Sequence, residues 1–403
     1  MNQLFNESEQ FVHDLCKKSF LSLWSYANPL GKASKELCDV LIVCDPDVII
    51  ISVKDIRITD SGNVSTDWNR WRKRAIDTSI NQVYGAERWI EKTLHVVRSD
   101  GSVGIAFPEK KVRRVHRVAV ALGGEGKAPI RFGDFGKGFV HVFDRVSLEV
   151  IMGELDTIED FIQYLSAKEE LYHSGREMLF HGGEEDLLAL YLHRGRRFPD
   201  NFDMIVIDDN LWEGFRNSEE YKAKKEADGA SYTWDRLIEL LSNDILHGNL
   251  EFGPDLSEAE ISVRVMAREN RFGRRLVGKS FMEFYELARQ KKVMSRMALG
   301  NSGVTYVFLA MPHGEDRQYR VAELVGRCFV ARGLNQERKA VVGLATERYE
   351  KEKGFSFDVM HLHKEIWGEE DQKHSDYLQT EFGYFKAPVS QRTHEDEYPQ
   401  KKG

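Results

Sequence analysis

The chain has 403 residues, of which 41% are hydrophobic, 30% charged and 11% aromatic, a composition typical of a globular protein with two or three domains. It contains no apolar run close to the ~20 residues that a membrane-spanning helix needs, and its start lacks the basic and apolar regions of a secretion signal. The net charge of −8 excludes a protein coated in positive charge, although a local basic face would still bind nucleic acid. The four cysteines show no CxxC pairing, so we expect reduced thiols and a cytoplasmic protein without a membrane partner.

The first part of the chain alternates between helical and strand patterns. Residues 6–24 place apolar side chains at helical spacing, and the Asn-Pro-Leu-Gly sequence that follows ends this helix. Two apolar runs, 40–43 and 48–53, are joined by a Cys-Asp-Pro-Asp turn and predict a pair of neighbouring strands. The remaining predicted elements of this domain are, in order, a long helix over 67–92, strands at 94–97, 115–122 and 139–143, and a helix over 157–170.

These patterns predict an α/β protein with a first domain at 1–165 and a second at 166–390, followed by a polar tail at 391–403. In the second domain, a strand at 305–311, a helix at 317–331 and a strand at 340–345 form a βαβ unit, which favours a parallel sheet. The remaining elements expected there are helices at 184–196 and 231–247, a short strand at 204–207, an exposed charged segment at 213–230 and a basic, helix-rich stretch at 257–300.

The most informative residues lie at the ends of the first strand pair. Asp39 opens one strand and Lys54 closes the other, so the pair places a metal-binding oxygen beside a fixed positive charge. That combination suits the metal-assisted cleavage of a phosphodiester.

An acid at a strand start, a tight turn and then x-x-Lys on the next strand, bracketed by two helices, resembles the PD-(D/E)XK nuclease superfamily. In this resemblance Asp39 matches the family's aspartate, Lys54 its lysine, Gln82 its helical glutamine and Glu9 its helical glutamate, with Glu7 as the fallback. The resemblance implies a restriction-endonuclease-like mixed sheet flanked by helices in the N-terminal domain, plus a C-terminal α/β domain. Two phrases, KELCDVL at 35–41 and FLSLW at 20–24, also resemble an uncharacterised bacterial branch whose members look like anti-phage defence nucleases.

The chain departs from the family pattern at Ser52, where the family carries the second acid of the metal site. Serine offers a hydroxyl or holds a metal-bound water but brings no charge. Glu36, Asp55 and Glu9 are the replacement acids that the sequence leaves open. Loss of catalytic activity is the other interpretation of this departure.

The resemblance implies a bound Mg²⁺, or Mn²⁺, held by Asp39, by a second acid (Glu9 or Glu36) and by the backbone carbonyl of Val53. Lys54 would orient the attacking water, act as its base or stabilise developing negative charge. Gln82 would position the water or the backbone.

Nucleic acid is the expected partner, with DNA favoured and RNA left open, and homo-oligomerisation is also left open. On the helix that carries Gln82, a basic cluster is a candidate for binding flanking phosphates: Arg70, Arg72, Lys73 and Arg74. The basic stretch 264–296 is the best candidate for a second nucleic-acid contact, although an ion-paired surface is the default interpretation. The alternative function is a catalytically inactive nuclease-fold protein that binds nucleic acid or a protein partner.

Overall fold

The computed structural model describes residues 6–124, 132–248, 256–386 and 395–399. It confirms the predicted α/β class, with a mixed sheet flanked by helices and a separate C-terminal sheet with its own helices. The chain divides into two compact units, Met1–Ser218 and Glu219–Gly403. The expected domain boundary at residue 165 lies within a helix, Ile158–His173, of the first unit. In the described part of the chain, no helix is both long and apolar enough to cross a membrane.

A six-stranded mixed sheet forms the centre of the N-terminal unit, in the order β1-β2-β3-β6-β8-β7. Strands β3, β6 and β8 run parallel, whereas β1, β2 and β7 pair antiparallel with their neighbours. Strands β4 and β5 pair with each other, as do β9 and β10. The strand bounds are β1 Ser25–Ala27, β2 Val40–Cys44, β3 Asp47–Asp55, β4 His95–Val97, β5 Val103–Ala106, β6 Arg114–Leu122, β7 Gly133–Asp134, β8 Phe139–Phe143, β9 Glu177–Phe180 and β10 Met204–Ile207.

The helices of this unit follow the predicted apolar spacing. Helix α1 begins after Asn6, whose side chain accepts a hydrogen bond from the backbone of Ser8, and it buries Val12, Cys16 and Phe20 four residues apart. The predicted helix at 67–92 is present as α2, one π-helical turn at Lys73–Asp77, and α3. The helix bounds are α1 Glu7–Phe20, α2 Val64–Arg72, α3 Thr78–Ile90, α4 Arg145–Glu154, α5 Ile158–His173, α6 Glu184–His193 and α7 Leu211–Asn217.

Helices cover both faces of the central sheet. The α2–α3 segment packs its buried stripe against one face, where Val48 and Ile50 of β3 join Trp71 and Val83 in a single apolar cluster. Helix α1 packs against β2 and β3, and α4 against β6 and β8. Since β2 and most of β3 are buried, their sequences are continuous apolar runs, as expected of strands that are covered on both faces.

The C-terminal unit contains a four-stranded sheet in the order β11-β12-β13-β14. Strands β12 and β13 are parallel and joined by α12, which confirms the predicted βαβ unit. The stretch expected to be helix-rich up to residue 300 instead ends in a strand, β11. The bounds are α8 Glu219–Asp228, α9 Ser231–His247, α10 Leu256–Ala267, α11 Arg271–Arg289, β11 Ser295–Leu299, β12 Val304–Met311, α12 Arg317–Leu334, β13 Ala340–Glu347, β14 Phe357–His363 and α13 Glu369–Phe382.

Part of the predicted polar tail, residues 395–399, is described and contacts α11. Glu395 accepts from Lys279 Nζ at 2.7 Å, and Arg275 donates to the carbonyl oxygens of Asp396 and Glu397 at 2.7 and 3.2 Å. The rest of the predicted tail lies outside the described residues. Polar groups of this segment therefore bind helix α11 of the same unit.

Candidate active site

The antiparallel pairing of β2 with β3 brings the predicted acid and lysine together. Val40 pairs with Ile51, so Asp39, one residue before β2, lies beside the carboxyl end of β3. Asp39 is 1% exposed, and its Oδ2 accepts a hydrogen bond from the backbone N–H of Val53 at 2.5 Å. The carboxylate is thus held at a fixed position by the neighbouring strand.

Lys54 completes this contact. Its Nζ lies 3.4 Å from Asp39 Oδ2 and 3.0 Å from the carbonyl oxygen of Val53, and its side chain is 26% exposed. The ammonium therefore contacts two oxygens at once while staying accessible from solvent. The structure brings Asp39, Val53 and Lys54 together, and their catalytic and metal-binding roles stay predictions.

Two more acids share the electrostatic environment of Asp39. Partial burial, a hydrogen bond with Asp39, and the charges of Asp39 and Glu9 raise the pKa of Glu36 to about 7, against the opposite effect of Lys54. Burial and the charge of Asp39 also raise the pKa of Glu9, while the Asn6 backbone, Lys54 and Asn28 act in the opposite direction. The charge of Asp39 thus disfavours the ionisation of both Glu36 and Glu9, and these three carboxyl groups form one acid group.

Negative charge in this group exceeds positive charge. Within the described residues, Asp39 is the only one of the three carboxyl groups that forms an ion pair, and its partner is Lys54. The pKa of the Cys38 thiol is raised first by burial and then by the charges of Asp39 and Glu36. A cation at this position would relieve the repulsion between the acids.

The residues present fit a hard divalent cation. No group of three or more His, Cys, Asp and Glu side chains in the part of the chain that the structure describes is arranged to hold a metal ion. Mg²⁺, however, needs only one or two carboxylates and keeps several of its waters. Asp39, Glu36 and the Val53 carbonyl supply hard oxygens, and the Lys54 ammonium already places a positive charge against two of them.

Ser52, at the position of the missing acid, is engaged with the helix that covers this face of the sheet. Because strand side chains alternate, Ser52 and Lys54 share a face of β3. Ser52 is fully buried, and its hydroxyl donates to Gln82 Oε1 on α3 at 2.8 Å. The hydroxyl therefore fixes the Gln82 amide and leaves the Nε2 hydrogens of Gln82 directed away from Ser52.

The structure also separates some of the sequence candidates. Asp55 alternates to the opposite face of β3 from Lys54, is exposed, and accepts from Ser8 Oγ of α1 at 2.5 Å. Glu7 is exposed at the start of α1. Glu36 is therefore better placed than Asp55 to act as the second acid, and Glu9 is better placed than Glu7.

The basic cluster on α2 and the π-helical turn is mostly solvent-facing. Arg70, Lys73 and Arg74 are exposed, whereas Arg72 is half-buried with its Nε 3.9 Å from Asp77. Arg70, Lys73 and Arg74 therefore present exposed positive charge on the segment that leads into the Gln82 helix.

The basic stretch 264–296 was a candidate for a second nucleic-acid contact, and this prediction is wrong for the three arginines at its centre. They are at most 2% exposed and paired with the buried or nearly buried carboxylates of Asp235 and Asp228. These residues are Arg271, Arg274 and Arg275. Their guanidinium groups satisfy internal acids of the C-terminal unit, so they do not form a phosphate-binding surface.

Comparison of the chain with models of protein families, with curated proteins and with solved structures finds no match in any of the three. The chemistry of the site and its charge distribution therefore carry the functional argument.

Proposed function

We propose that this protein is a metal-dependent nuclease that hydrolyses phosphodiester bonds, with its active site at the end of the β2–β3 hairpin. The observation that carries the proposal is the buried Asp39 carboxylate 3.4 Å from the accessible Lys54 ammonium, with Glu36 and Glu9 close enough for the charge of Asp39 to raise their pKa values. A purely structural ion pair has no need of additional acids that destabilise one another.

In this proposal the acids bind the cation and the lysine binds the phosphate. Asp39, with Glu36 as the second acid and Val53 through its carbonyl, would hold Mg²⁺ or Mn²⁺. The bound cation would lower the pKa of a water and neutralise charge on the scissile phosphate. Lys54, flexible and partly exposed, would place its ammonium against the phosphate oxygens as negative charge develops.

Gln82 would act as a hydrogen-bond donor in the same reaction. Its Oε1 accepts from Ser52, so its Nε2 is the group left to donate to a phosphate or to a water. Ser52 would thereby be a positioning residue in place of a metal ligand. This role accounts for a serine at a position where the PD-(D/E)XK pattern has an acid.

The proposal extends to the partner and the biological role. The exposed Arg70, Lys73 and Arg74 would bind phosphates next to the cleaved bond, which a DNA or an RNA strand would supply. The resemblance of the N-terminal sequence to anti-phage defence nucleases supports DNA as the substrate, a bacterial defence role and a cytoplasmic location.

The test is cleavage of supercoiled plasmid DNA and of an RNA transcript with Mg²⁺, Mn²⁺ or EDTA. We expect divalent-dependent cleavage that falls by about 10²–10³-fold in Lys54→Ala and in Asp39→Asn, since each removes a charge aimed at the reacting phosphate or its cation. The matched control is Lys92→Ala, an exposed lysine at the far end of the α3 segment, which should cleave as the parent protein does. Cleavage that persists in both site variants would refute the assignment.

A second candidate function is that of an inactive nuclease-fold protein that binds nucleic acid. The presence of serine at position 52 favours it. No carboxylate stands at this position, and the hydroxyl is already committed to Gln82. Nucleic-acid binding that survives Lys54→Ala and Asp39→Asn, without cleavage by the parent protein under any of the metal conditions, would establish this alternative.

A further inference from the structure

Asn28 lies directly beside the acid group, although the sequence shows it only as part of a helix-breaking turn. It follows β1, and its backbone N–H donates to the carbonyl oxygen of Asp39 at 3.0 Å. The two residues are therefore neighbours on adjacent segments of the sheet edge. A displacement of one backbone would displace the other.

The side chain of Asn28 is 6% exposed and reaches a second member of the acid group. Its amide lies within hydrogen-bonding reach of Glu9. Because a carboxylate only accepts hydrogen bonds, this contact turns the NH₂ group of Asn28 toward Glu9 and leaves Oδ1 on the other side of the amide.

That remaining oxygen has no partner. Asn28 Oδ1 is buried, and none of the donors in the described residues hydrogen-bonds to it. A buried carbonyl oxygen without a partner costs free energy comparable to a lost hydrogen bond, and such groups occur where an ion or a water is bound. The backbone of Asn28 is also in the left-handed region, with φ of 43°, an uncommon conformation that collects at functional sites.

From these observations we infer that Asn28 belongs to the cation site: its amide holds Glu9 toward Asp39, and its Oδ1 supplies one more neutral oxygen to the divalent ion. The inference rests on the proposed function, because it needs the cation that the nuclease proposal places beside Asp39. A neutral amide oxygen can fill this role, since Mg²⁺ and Mn²⁺ accept carbonyl ligands.

The test is Mn²⁺ binding by the full-length protein, measured by calorimetry without nucleic acid. The principal variant is Asn28→Gly, because glycine adopts the positive φ without strain and removes the whole side chain. We expect its dissociation constant for Mn²⁺ to rise about tenfold or more, the usual effect of removing a group that supports a metal site. The matched control is Asn210→Gly, an exposed asparagine with φ of 66° that precedes α7, and it should bind Mn²⁺ as the parent does.

A second variant keeps the inference testable if Asn28→Gly does not fold. Asn28→Asp retains an oxygen at the same position and exchanges the amide for a charge that the ion itself would compensate. We expect it to bind Mn²⁺ at least as tightly as the parent protein, with a larger rise in melting temperature on adding Mn²⁺. Weaker binding by Asn28→Asp would overturn the assignment of Oδ1 as a donor.

The results also separate this inference from the proposed function. Binding by Asn28→Gly within twofold of the parent, together with loss of binding in Asp39→Asn, would remove Asn28 from the site while leaving the cation in place. Absence of Mn²⁺ binding by the parent protein at millimolar concentration would refute both the cation site and the role of Asn28.

Discussion

The two ends of strand β3 each place a buried carboxylate beside basic groups, but only one end has balanced charge. At the amino end, Asp47 is 1% exposed and accepts from Arg114 Nη2 at 2.7 Å, with His116 Nε2 3.0 Å from its other oxygen. At the other end, the equally buried Asp39 has a single ammonium and two further acids as neighbours.

This difference shows how a structural carboxylate is distinguished from a candidate site. Both oxygens of Asp47 contact nitrogen atoms of the next strand, β6, so the group ties two parallel strands together. Asp39 instead has two further acids beside it whose pKa values its charge helps to raise, and perturbed acids of this kind cluster at functional sites.

The largest expected effect is on stability. Asp47→Asn leaves Arg114 and His116 without their anionic partner, and we expect it to lower the free energy of unfolding by about 2–3 kcal/mol. Asp39→Asn relieves repulsion from Glu36 and keeps an oxygen for the Val53 N–H, so it should change stability by less than about 1 kcal/mol. Hydrogen-exchange mass spectrometry of β3 peptides in EDTA would measure both values. Equal destabilisation by the two variants would contradict the contrast.

An intermediate effect is expected when a divalent cation is added. At ten times its dissociation constant, Mn²⁺ should stabilise the N-terminal unit by about 1.4 kcal/mol, which corresponds to a rise of roughly 3–5 °C in its melting temperature. Asp47→Asn should show the same rise as the parent protein, and Asp39→Asn should show none. Thermal melts with and without Mn²⁺ would measure it, and a rise that persists in Asp39→Asn would place the cation elsewhere.

The smallest effect concerns the two groups of basic residues. Replacing the exposed Arg70 and Arg74 by alanine should lower nucleic-acid affinity and reduce the salt dependence of binding by up to about two units of slope. Arg275→Ala, in the buried cluster of the C-terminal unit, should leave that slope unchanged because its guanidinium is paired with Asp228. Fluorescence anisotropy of a labelled duplex, measured in EDTA at several salt concentrations, would give the slopes. A larger change in slope with Arg275→Ala than with the Arg70 and Arg74 variant would contradict the assignment of the exposed cluster as the phosphate-binding group.

Local pattern was enough to predict most elements of both units. The apolar runs around the turn at Asp45 gave the hairpin, and the spacing of Trp71, Val83 and Ile90 gave the buried stripe of the helix that covers it. The βαβ unit of the second half followed from the same periodicity. These features are legible because burial of one face imposes its period on the sequence.

The sequence was less informative about which residues belong to the candidate site. The sequence leaves Glu36, Asp55 and Glu9 open as the replacement acid. The pleat of β3 turns Asp55 to the exposed opposite face, while Glu36 contacts Asp39. Asn28 was missed, since an asparagine before a proline is an ordinary turn signal. Its contact with Glu9 joins a helix to a distant loop, which sequence spacing does not report.

The sequence by itself determined the α/β class, the hairpin and the pairing of Asp39 with Lys54, because strand periodicity and a tight turn fix the register between neighbouring segments. Tertiary structure alone decided which charges balance. It buried Arg271, Arg274 and Arg275 against internal acids and left Arg70 and Arg74 exposed, although the two groups look alike as sequence. The reason is physical: the state of a charge depends on its burial and on partners that are distant along the chain, and neither is a property of the local pattern.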